Sequence, residues 1–311
     1  MSDILAWGLD VVRLFQRAAS PGLTAAMKAV TFLGTEYFYL AALPLLYWCV
    51  DKRRATRLGL VFLASSFCNS WLKVVFAQPR PFQLDPTLGL ASETSYGLPS
   101  GHAQGSATFW GLAARFFKKP WGLVLALALP LVVGLSRVYL GVHFPTDLFL
   151  GWALGALFVG ADLLLGERAE AAISKLRPTL KIALAAAAAL AMNALYAGDT
   201  SLAGVFLGFA AGLAYAPKAA PFSAGGPWAK RLLRFAFGLA TVAIVYFGPK
   251  LFLGSLGSDR LVRFIRYAAV GAWCSIGAPW LFLVLGLADR EPCLAEREAA
   301  PAEAAPQSAK E

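Results

Sequence analysis

Charged residues are scarce in this sequence. Only 15% of the 311 residues are Asp, Glu, Lys or Arg, and 58% are hydrophobic. The mean hydropathy is +0.61. A soluble protein of this length needs more charge to cover its surface, so two soluble domains are excluded. The composition predicts an integral membrane protein whose core is an all-α transmembrane helix bundle.

Histidine and cysteine are rare as well. The chain has two histidines and four cysteines. Cys49, Cys68 and Cys274 lie in apolar runs, Cys293 lies in the C-terminal tail, and no C-x-x-C pair occurs. This spacing argues against a disulfide framework and against a zinc site. The first residues also lack the pattern of a removable signal peptide, so membrane insertion is expected to depend on internal spans.

The positive charge is divided among short clusters. The net charge is +10, but the Lys and Arg residues stand in turns between apolar runs and form no extended basic face. That distribution is typical of cytoplasmic loops and argues against nucleic-acid binding.

Apolar runs near bilayer length recur along the chain and predict about nine transmembrane spans. The five that form the first group cover residues 32–50, 58–77, 100–117, 121–140 and 145–165. The four that follow cover residues 182–196, 202–216, 235–253 and 267–287. The sixth and seventh are short and rich in Ala and Gly, which predicts a tight hairpin.

Three further segments have their own patterns. Residues 4–18 mix apolar and charged positions, which predicts an amphipathic helix, either on the membrane surface or packed on the bundle. Residues 260–266 alternate Arg with apolar residues and predict a second interfacial helix. The tail at 289–311 is rich in Ala, Glu and Pro and is expected to be disordered.

Basic clusters predict the orientation in the membrane. They follow the first, third, fifth and seventh spans, whereas the turn at 198–200 has no Lys or Arg. The second of these clusters is Lys118–Lys119 before Pro120. The odd-numbered span ends are therefore expected in the cytoplasm. The arginines at 260, 263 and 266 are the exception, because they fall on the outward side.

Three polar stretches interrupt the apolar pattern at predicted outward span ends. They are K-V-V-F-A-Q-P-R-P at 73–81, P-S-G-H at 99–102 and S-R-V-Y-L-G-V-H-F-P-T-D at 136–147. Charged groups among apolar spans are costly, so their presence indicates function.

Several of these residues suit a phosphate group. Lys73, Arg80 and Arg137 supply three positive charges, and the arginines match phosphate geometry with two donors each. Ser100 is a plausible helix N-cap, and Gly101 allows close approach to the helix N-terminus. Each residue alone also has a structural explanation, as a headgroup anchor or as part of a helix cap.

The two histidines fall in the same stretches. His143 is a candidate nucleophile toward phosphorus, and Asp147 is placed to hold its imidazole tautomer. His102 is a candidate acid for the leaving oxygen and later a base for water. A lone histidine is more often structural, but here both histidines of the chain stand among the cations.

The motifs K-x6-R-P, P-S-G-H and S-R-x5-H-x3-D resemble the three-part signature of the type 2 phosphatidic acid phosphatase superfamily. That superfamily includes lipid phosphate phosphatases and vanadium haloperoxidases, and the resemblance covers about residues 32–165. It implies a phosphohydrolase that needs no metal or other cofactor and passes through a phosphohistidine. It makes His143 the nucleophile, Asp147 its partner and His102 the acid and base. The phosphate binders that it implies are Lys73, Arg80, Ser100, Gly101 and Arg137.

Two stretches are similar to a narrower branch, that of sphingoid-base phosphate phosphatases and dolichyl diphosphatases. They are F-L-G-T-E-Y-F-Y at 32–39 and Y-G-L-P-S-G-H at 96–102. The resemblance implies a lipid substrate, with undecaprenyl pyrophosphate, a phospholipid phosphate or a sphingoid phosphate as candidates. A soluble phosphate ester is the alternative, as for the glucose-6-phosphatases, and a lipid transporter with a non-hydrolytic site is the third.

The predicted organisation has four parts. They are an amphipathic segment at 1–31, a phosphatase core at 32–177, an additional transmembrane region at 178–288 and the tail at 289–311. We expect a bacterial inner membrane, with the site facing outward. The four later spans lie outside the resemblance; a lipid entrance, dimerisation or an unrelated role stays open for them. The loop at 82–98 is either a gate over the site or an ordinary connector.

Overall fold

The computed structural model describes residues 3–117, 120–253 and 259–291. Within these ranges the chain contains helices and no β-strand, with one isolated bridge between Phe222 and Arg290. The prediction of an all-α membrane bundle is therefore confirmed. The predicted Lys118–Lys119 turn, Cys293 and the tail beyond residue 291 lie outside the described residues.

The described chain forms 13 α-helices. In chain order they are α1 (Asp3–Gln16), α2 (Pro21–Phe32), α3 (Glu36–Cys49), α4 (Lys52–Phe76), α5 (Pro81–Leu84), α6 (Gly101–Ala113), α7 (Trp121–Tyr139), α8 (Pro145–Ser174), α9 (Pro178–Leu195), α10 (Ser201–Ala219), α11 (Trp228–Leu253), α12 (Arg260–Ala272) and α13 (Ala278–Val284). Short 3₁₀ turns cover Pro86–Leu88 and Ala114–Phe116, and a π-helical turn at Trp273–Gly277 joins α12 to α13.

Seven described helical segments are long and apolar enough to cross a membrane. A further pair, α2 and α3, passes the same test together but is bent by 43° at a short break. The nine-span count is therefore not confirmed. The predicted third span corresponds to α6, which has only 13 residues before it tightens into the 3₁₀ turn. At ~1.5 Å per residue, a helix of this length does not cross a hydrocarbon core of ~30 Å by itself.

Residues 260–266 do not form a helix of their own, and their interfacial location stays a prediction. Those residues open α12, which begins the last candidate span at Arg260 and continues through the π-helical turn to Val284. The three-residue spacing of the arginines places them along one helical face. Arg266 lies over the Tyr246 and Tyr267 rings, 5.0 and 5.5 Å from their centroids, so aromatic rings cover this cation beside the bundle.

Helix α1 contacts the bundle through one face. Leu9 and Val12 are buried in a cluster that also contains Phe144 and Leu148. The opposite face exposes apolar side chains, among them Ile4, Trp7 and Leu14. The packing of residues 4–18 on the bundle is therefore observed for one face of the helix, and the location of the other face on the membrane surface stays a prediction.

Helix α6 lies at the centre of the first half and contacts α4, α7 and α8. Since these helices alternate in direction, the end of α4, the start of α6, the end of α7 and the start of α8 meet at one end of the bundle. We call this the motif end. In the second half, α9 and α10 form the predicted hairpin, and α10 packs on α12.

Candidate active site

The three polar stretches meet at the motif end. The first follows α4, which stops at Ala77 in a left-handed conformation with φ 46°. The second opens α6 behind the cap residue Ser100, and the third runs from the last turn of α7 into α8. A backbone hydrogen bond from Ser100 N–H to the Asp147 carbonyl, 3.0 Å long, joins the second stretch to the third.

His143 and Asp147 form a buried pair. His143 Nδ1 lies 3.0 Å from Asp147 Oδ2, and both side chains are almost completely buried. Asp147 stands in the first turn of α8, where Oδ2 also accepts the Phe144 N–H at 2.9 Å. A carboxylate at a helix N-terminus is electrostatically favoured, so the helix start itself fixes the residue. With Nδ1–H donated to Asp147, Nε2 carries the ring's lone pair.

Arg80 occupies the other side of the imidazole. Its Nη1 lies 3.0 Å from His143 Nε2 and donates to the Val142 carbonyl at 2.8 Å. Its remaining nitrogens donate to Ser95 and Tyr96, with Nε 2.6 Å from the Ser95 carbonyl. The guanidinium is therefore held beside the atom that would attack phosphorus.

Lys73 and Arg137 complete the group of cations. Lys73 Nζ donates to the carbonyls of Tyr96 and Gly97 at 2.6 and 3.3 Å. Arg137 forms an ion pair with Glu93 and donates to Thr31 Oγ1 at 2.9 Å. All three cations thus bind residues 93–97, so this part of the loop packs directly on the site. The gate stays a prediction.

The second stretch supplies a helix N-terminus and a histidine. The Ser100 hydroxyl accepts the Ala103 N–H at 3.4 Å, as expected for an N-cap. A Cβ on Gly101 would lie 3.1 Å from Asn69 Oδ1, so a larger residue there would crowd α4. His102 Nε2 is buried and has no hydrogen-bond partner among the described residues, which leaves that nitrogen available to a ligand.

His143 lies in the turn between two candidate spans, and its surroundings determine its charge. Burial, and then the nearby positive charges of Arg80 and Lys73, lower the pKa of His143 well below its ordinary value. The imidazole is therefore neutral at neutral pH. A neutral ring with a free lone pair is the form that attacks phosphorus.

Sequence reasoning overlooked several contributors to this site. Gln78 Nε2 donates to Asp147 Oδ1 at 2.7 Å, and Thr31 contacts Arg137. Below the site, Asn69 donates to Gln104 Oε1 at 2.8 Å, which ties α4 to α6. Gln78 stands inside the first motif and Gln104 two residues after the second, so position was a signal, but neither residue type indicated chemistry.

Family models match both halves of the chain. Residues 54–169 match the model described as the PAP2 superfamily. Residues 200–290 match the model described as the PAP2 superfamily phosphatase transmembrane extension. The second match corrects the expectation that the later spans lie outside the resemblance. Most of these spans fall within residues 200–290, which match the transmembrane extension of this superfamily.

Curated relatives agree with these matches. The undecaprenyl-diphosphatase of Sulfolobus acidocaldarius is 30% identical over 159 residues, which cover 49% of this chain and 75% of that protein. The phosphatidylglycerophosphatase B of Bacillus subtilis is 33% identical over 150 residues, covering 44% and 72%. The lipid phosphate phosphatase delta of Arabidopsis thaliana is 26% identical over 180 residues, covering 52% of this chain but only 43% of that protein.

Proposed function

Because the chain belongs to the PAP2 superfamily of phosphatases, we propose that it removes phosphate from a lipid phosphate or lipid pyrophosphate through a phosphohistidine at His143. The family predicted from the three motifs is confirmed, and with it the class of membrane phosphatase. The roles of individual residues and the substrate are the content of the proposal.

One observation carries the proposal: Arg80, His143 and Asp147 form a continuous line of contacts. Asp147 holds Nδ1, and Arg80 lies 3.0 Å from Nε2. A phosphoryl group bound by Arg80 is thereby brought against the nucleophilic nitrogen. Positioning of this kind, together with charge stabilisation, accounts for most of the catalysis of phosphoryl transfer.

The reaction then has two steps. In the first, Nε2 of His143 forms a bond to phosphorus as the bond from phosphorus to the lipid oxygen breaks, and His102 gives that oxygen a proton. In the second, His102 takes a proton from water, water attacks phosphorus, and the nitrogen–phosphorus bond breaks. Lys73, Arg80 and Arg137 stabilise the charge on the phosphoryl oxygens, helped by the Ser100 hydroxyl and the Gly101 N–H.

The substrate class follows from the membrane setting and from the relatives. The three relatives carry names that refer to lipid phosphates or lipid diphosphates. Undecaprenyl pyrophosphate and a phospholipid or sphingoid phosphate are therefore the candidates. Exposed apolar side chains beside Lys73, those of Val74, Val75 and Phe76, suit a substrate that arrives from the bilayer.

The outward location rests on charge distribution. The end of the bundle opposite the motifs carries Arg53, Arg54, Arg57 and Arg115, and such clusters favour the cytoplasm. We therefore place the site at the outer face of a bacterial inner membrane.

The experiment is phosphate release by the purified protein in detergent, with a chelator present. The substrates are phosphatidic acid, phosphatidylglycerol phosphate, undecaprenyl pyrophosphate and sphingosine phosphate, each in a long-chain and a short-chain form. The proposal expects chelator-resistant release that falls as the chain shortens and disappears in His143→Ala.

Size-exclusion profile and Tm show whether His143→Ala is folded. Release that persists in the folded variant contradicts the phosphohistidine step. A preference for short-chain esters favours the soluble-ester alternative, and lipid movement without any release favours the transporter.

A further inference from the structure

Gln78 occupies a turn that connects the two outer motifs. It follows Ala77, whose left-handed conformation ends α4, and it precedes Pro79 and Arg80. The turn directs its side chain toward α8, where Nε2 donates to Asp147 Oδ1 at 2.7 Å. Gln78 therefore connects the first motif to the third, and it is an uncharged residue outside the proposed catalytic and phosphate-binding groups.

The Asp147 carboxylate has an asymmetric set of donors. Oδ2 receives both His143 Nδ1 at 3.0 Å and the Phe144 N–H at 2.9 Å. Among the described residues, Oδ1 receives only Gln78. Because the carboxylate is fully buried, water does not replace a missing donor at Oδ1. Gln78 thus determines how the carboxylate plane is rotated, and the plane determines where Oδ2 meets the imidazole.

The backbone of Gln78 holds a second part of the site. Its carbonyl accepts the Gly97 N–H at 2.9 Å. Gly97 and Tyr96 offer their carbonyls to Lys73. A Cβ on Gly97 would lie 3.2 Å from Asp147 Oδ2, so the segment approaches the carboxylate closely. One residue therefore ties the carboxylate to the segment that covers the cations.

From these contacts we infer that Gln78 is a positioning residue, whose side-chain amide fixes the Asp147 carboxylate and through it the attacking orientation of His143. The inference rests on the proposed function. The Gln78 side chain donates to Asp147 and, among the described residues, has no hydrogen bond to His143 or to the three cations. Its contribution is expected in kcat and not in the affinity for phosphate.

The first test replaces the donor without shortening the side chain. Gln78→Met is expected to lower kcat about tenfold, the scale of supporting groups around a reactive centre. KM for a lipid phosphate and the inhibition constant of inorganic phosphate are expected to stay within about twofold, because Lys73, Arg80 and Arg137 are unchanged. Gln78→Glu has the wild-type shape but turns an acceptor toward Oδ1, and it is expected to lose more kcat than Gln78→Met.

The matched control is Gln16→Met. Gln16 is half-buried at the same end of the bundle and donates to the carbonyls of Leu88 and Tyr139 at 2.9 and 2.8 Å, without contact to Asp147. Its replacement removes two hydrogen bonds and is expected to lower Tm while kcat stays within about twofold. The control separates a general loss of hydrogen bonding from a specific effect on Asp147.

The second readout is the coupling of Gln78 to Asp147. In an Asp147→Asn background, the added Gln78→Met change is expected to alter the residual kcat by less than about twofold, because both residues act through the same imidazole. If Gln78 had a merely structural role, the fold-losses in kcat caused by Gln78→Met and by Asp147→Asn would multiply in the double variant.

The inference is overturned if folded Gln78→Met and Gln78→Glu keep the kcat of Gln16→Met, or if their loss falls on phosphate affinity. If one of the two Gln78 variants does not fold, the kcat of the other variant tests the inference. If the wild type is active and the Gln78 variants are equally active, the role of Gln78 is rejected and the proposed function is unaffected. A wild type that hydrolyses no lipid phosphate counts against the proposed function and, with it, against this role.

Discussion

Arginines occur at both ends of this bundle, but Arg57 and Arg115 at one end have different partners from Arg80 at the other. At the end opposite the motifs, Asp162 on α8 accepts from Arg57 at 3.0 and 3.2 Å and from Arg115 at 2.5 Å. At the motif end, Arg80 donates to backbone carbonyls, to the Ser95 hydroxyl and to an imidazole. The first arrangement places a carboxylate in a rigid helix between two cations.

The comparison separates arginines whose charge is neutralised by a carboxylate from cations whose charge is still available to a ligand. A carboxylate on a helix neutralises the arginines beside it and is not displaced by an incoming anion. Carbonyls are neutral, so Lys73 and Arg80 keep their full positive charge for a phosphate. Arg234 at the opposite end also binds carbonyls of a loop, so this feature alone does not identify a site. A sequence alone shows buried charge at both ends and does not distinguish the two.

The largest expected effect on stability is at the end opposite the motifs. Asp162→Ala removes the main acceptor of Arg57 and Arg115 and is expected to lower the free energy of unfolding by about 2 kcal/mol. The loss stays below that of a fully buried pair because both arginines are partly exposed and Arg57 keeps Glu170 at 3.8 Å. Tm and chemical unfolding in detergent measure the loss, and kcat of the remaining folded protein is expected to be unchanged. A variant of wild-type Tm would show that this cluster is not structural.

The next effect is on catalysis. Arg80→Ala is expected to lower kcat/KM by about 10²–10³-fold, because it removes a fixed donor from the developing phosphoryl charge. Arg57→Ala is the matched control and is expected to change kcat/KM by less than about twofold, since it lies at the other end. Steady-state kinetics on the preferred lipid phosphate measure both. Equal losses in the two variants would erase the proposed difference between the ends.

A smaller effect is expected from the carboxylate over the site. Glu93 pairs with Arg137 and thereby competes with phosphate for this cation. Glu93→Gln is expected to tighten inhibition by inorganic phosphate about tenfold, the equivalent of ~1.4 kcal/mol for one charge-assisted hydrogen bond. Asp85→Asn, which loses an ion pair with Arg13 elsewhere in the same loop, is the control and is expected to leave the inhibition constant unchanged. Weaker inhibition in Glu93→Gln would mean that Glu93 helps to form the phosphate site.

The smallest effect is expected at the surface of the opposite end. Arg53 contacts Glu170 at 2.5 Å, but its side chain is 73% exposed. Water and salt screen such pairs, so Arg53→Ala is expected to leave both Tm and kcat near the wild-type values. A loss of Tm comparable to that of Asp162→Ala would show that exposure does not separate the two ion pairs.

The sequence predicted the helical class and the meeting of the three motifs, because alternating span directions place the ends of α4 and α7 beside the starts of α6 and α8. It failed where tertiary contacts decide. The aromatic partners of Arg266, Tyr246 and Tyr267, were not apparent from local pattern. The contacts of Gln78 and Glu93 depend on the path of a loop, which no periodicity encodes. The four-part division of the chain stays a prediction.

The central claim is that phosphate passes through His143, and covalent labelling tests it most directly. Purified protein is mixed with a radiolabelled lipid phosphate, quenched in alkali within one turnover and digested, and the labelled peptide is identified by mass spectrometry. The account predicts acid-labile label on His143 in the wild type and none in the folded His143→Ala variant. Label on another residue, or single-turnover hydrolysis with no labelled histidine, would contradict it.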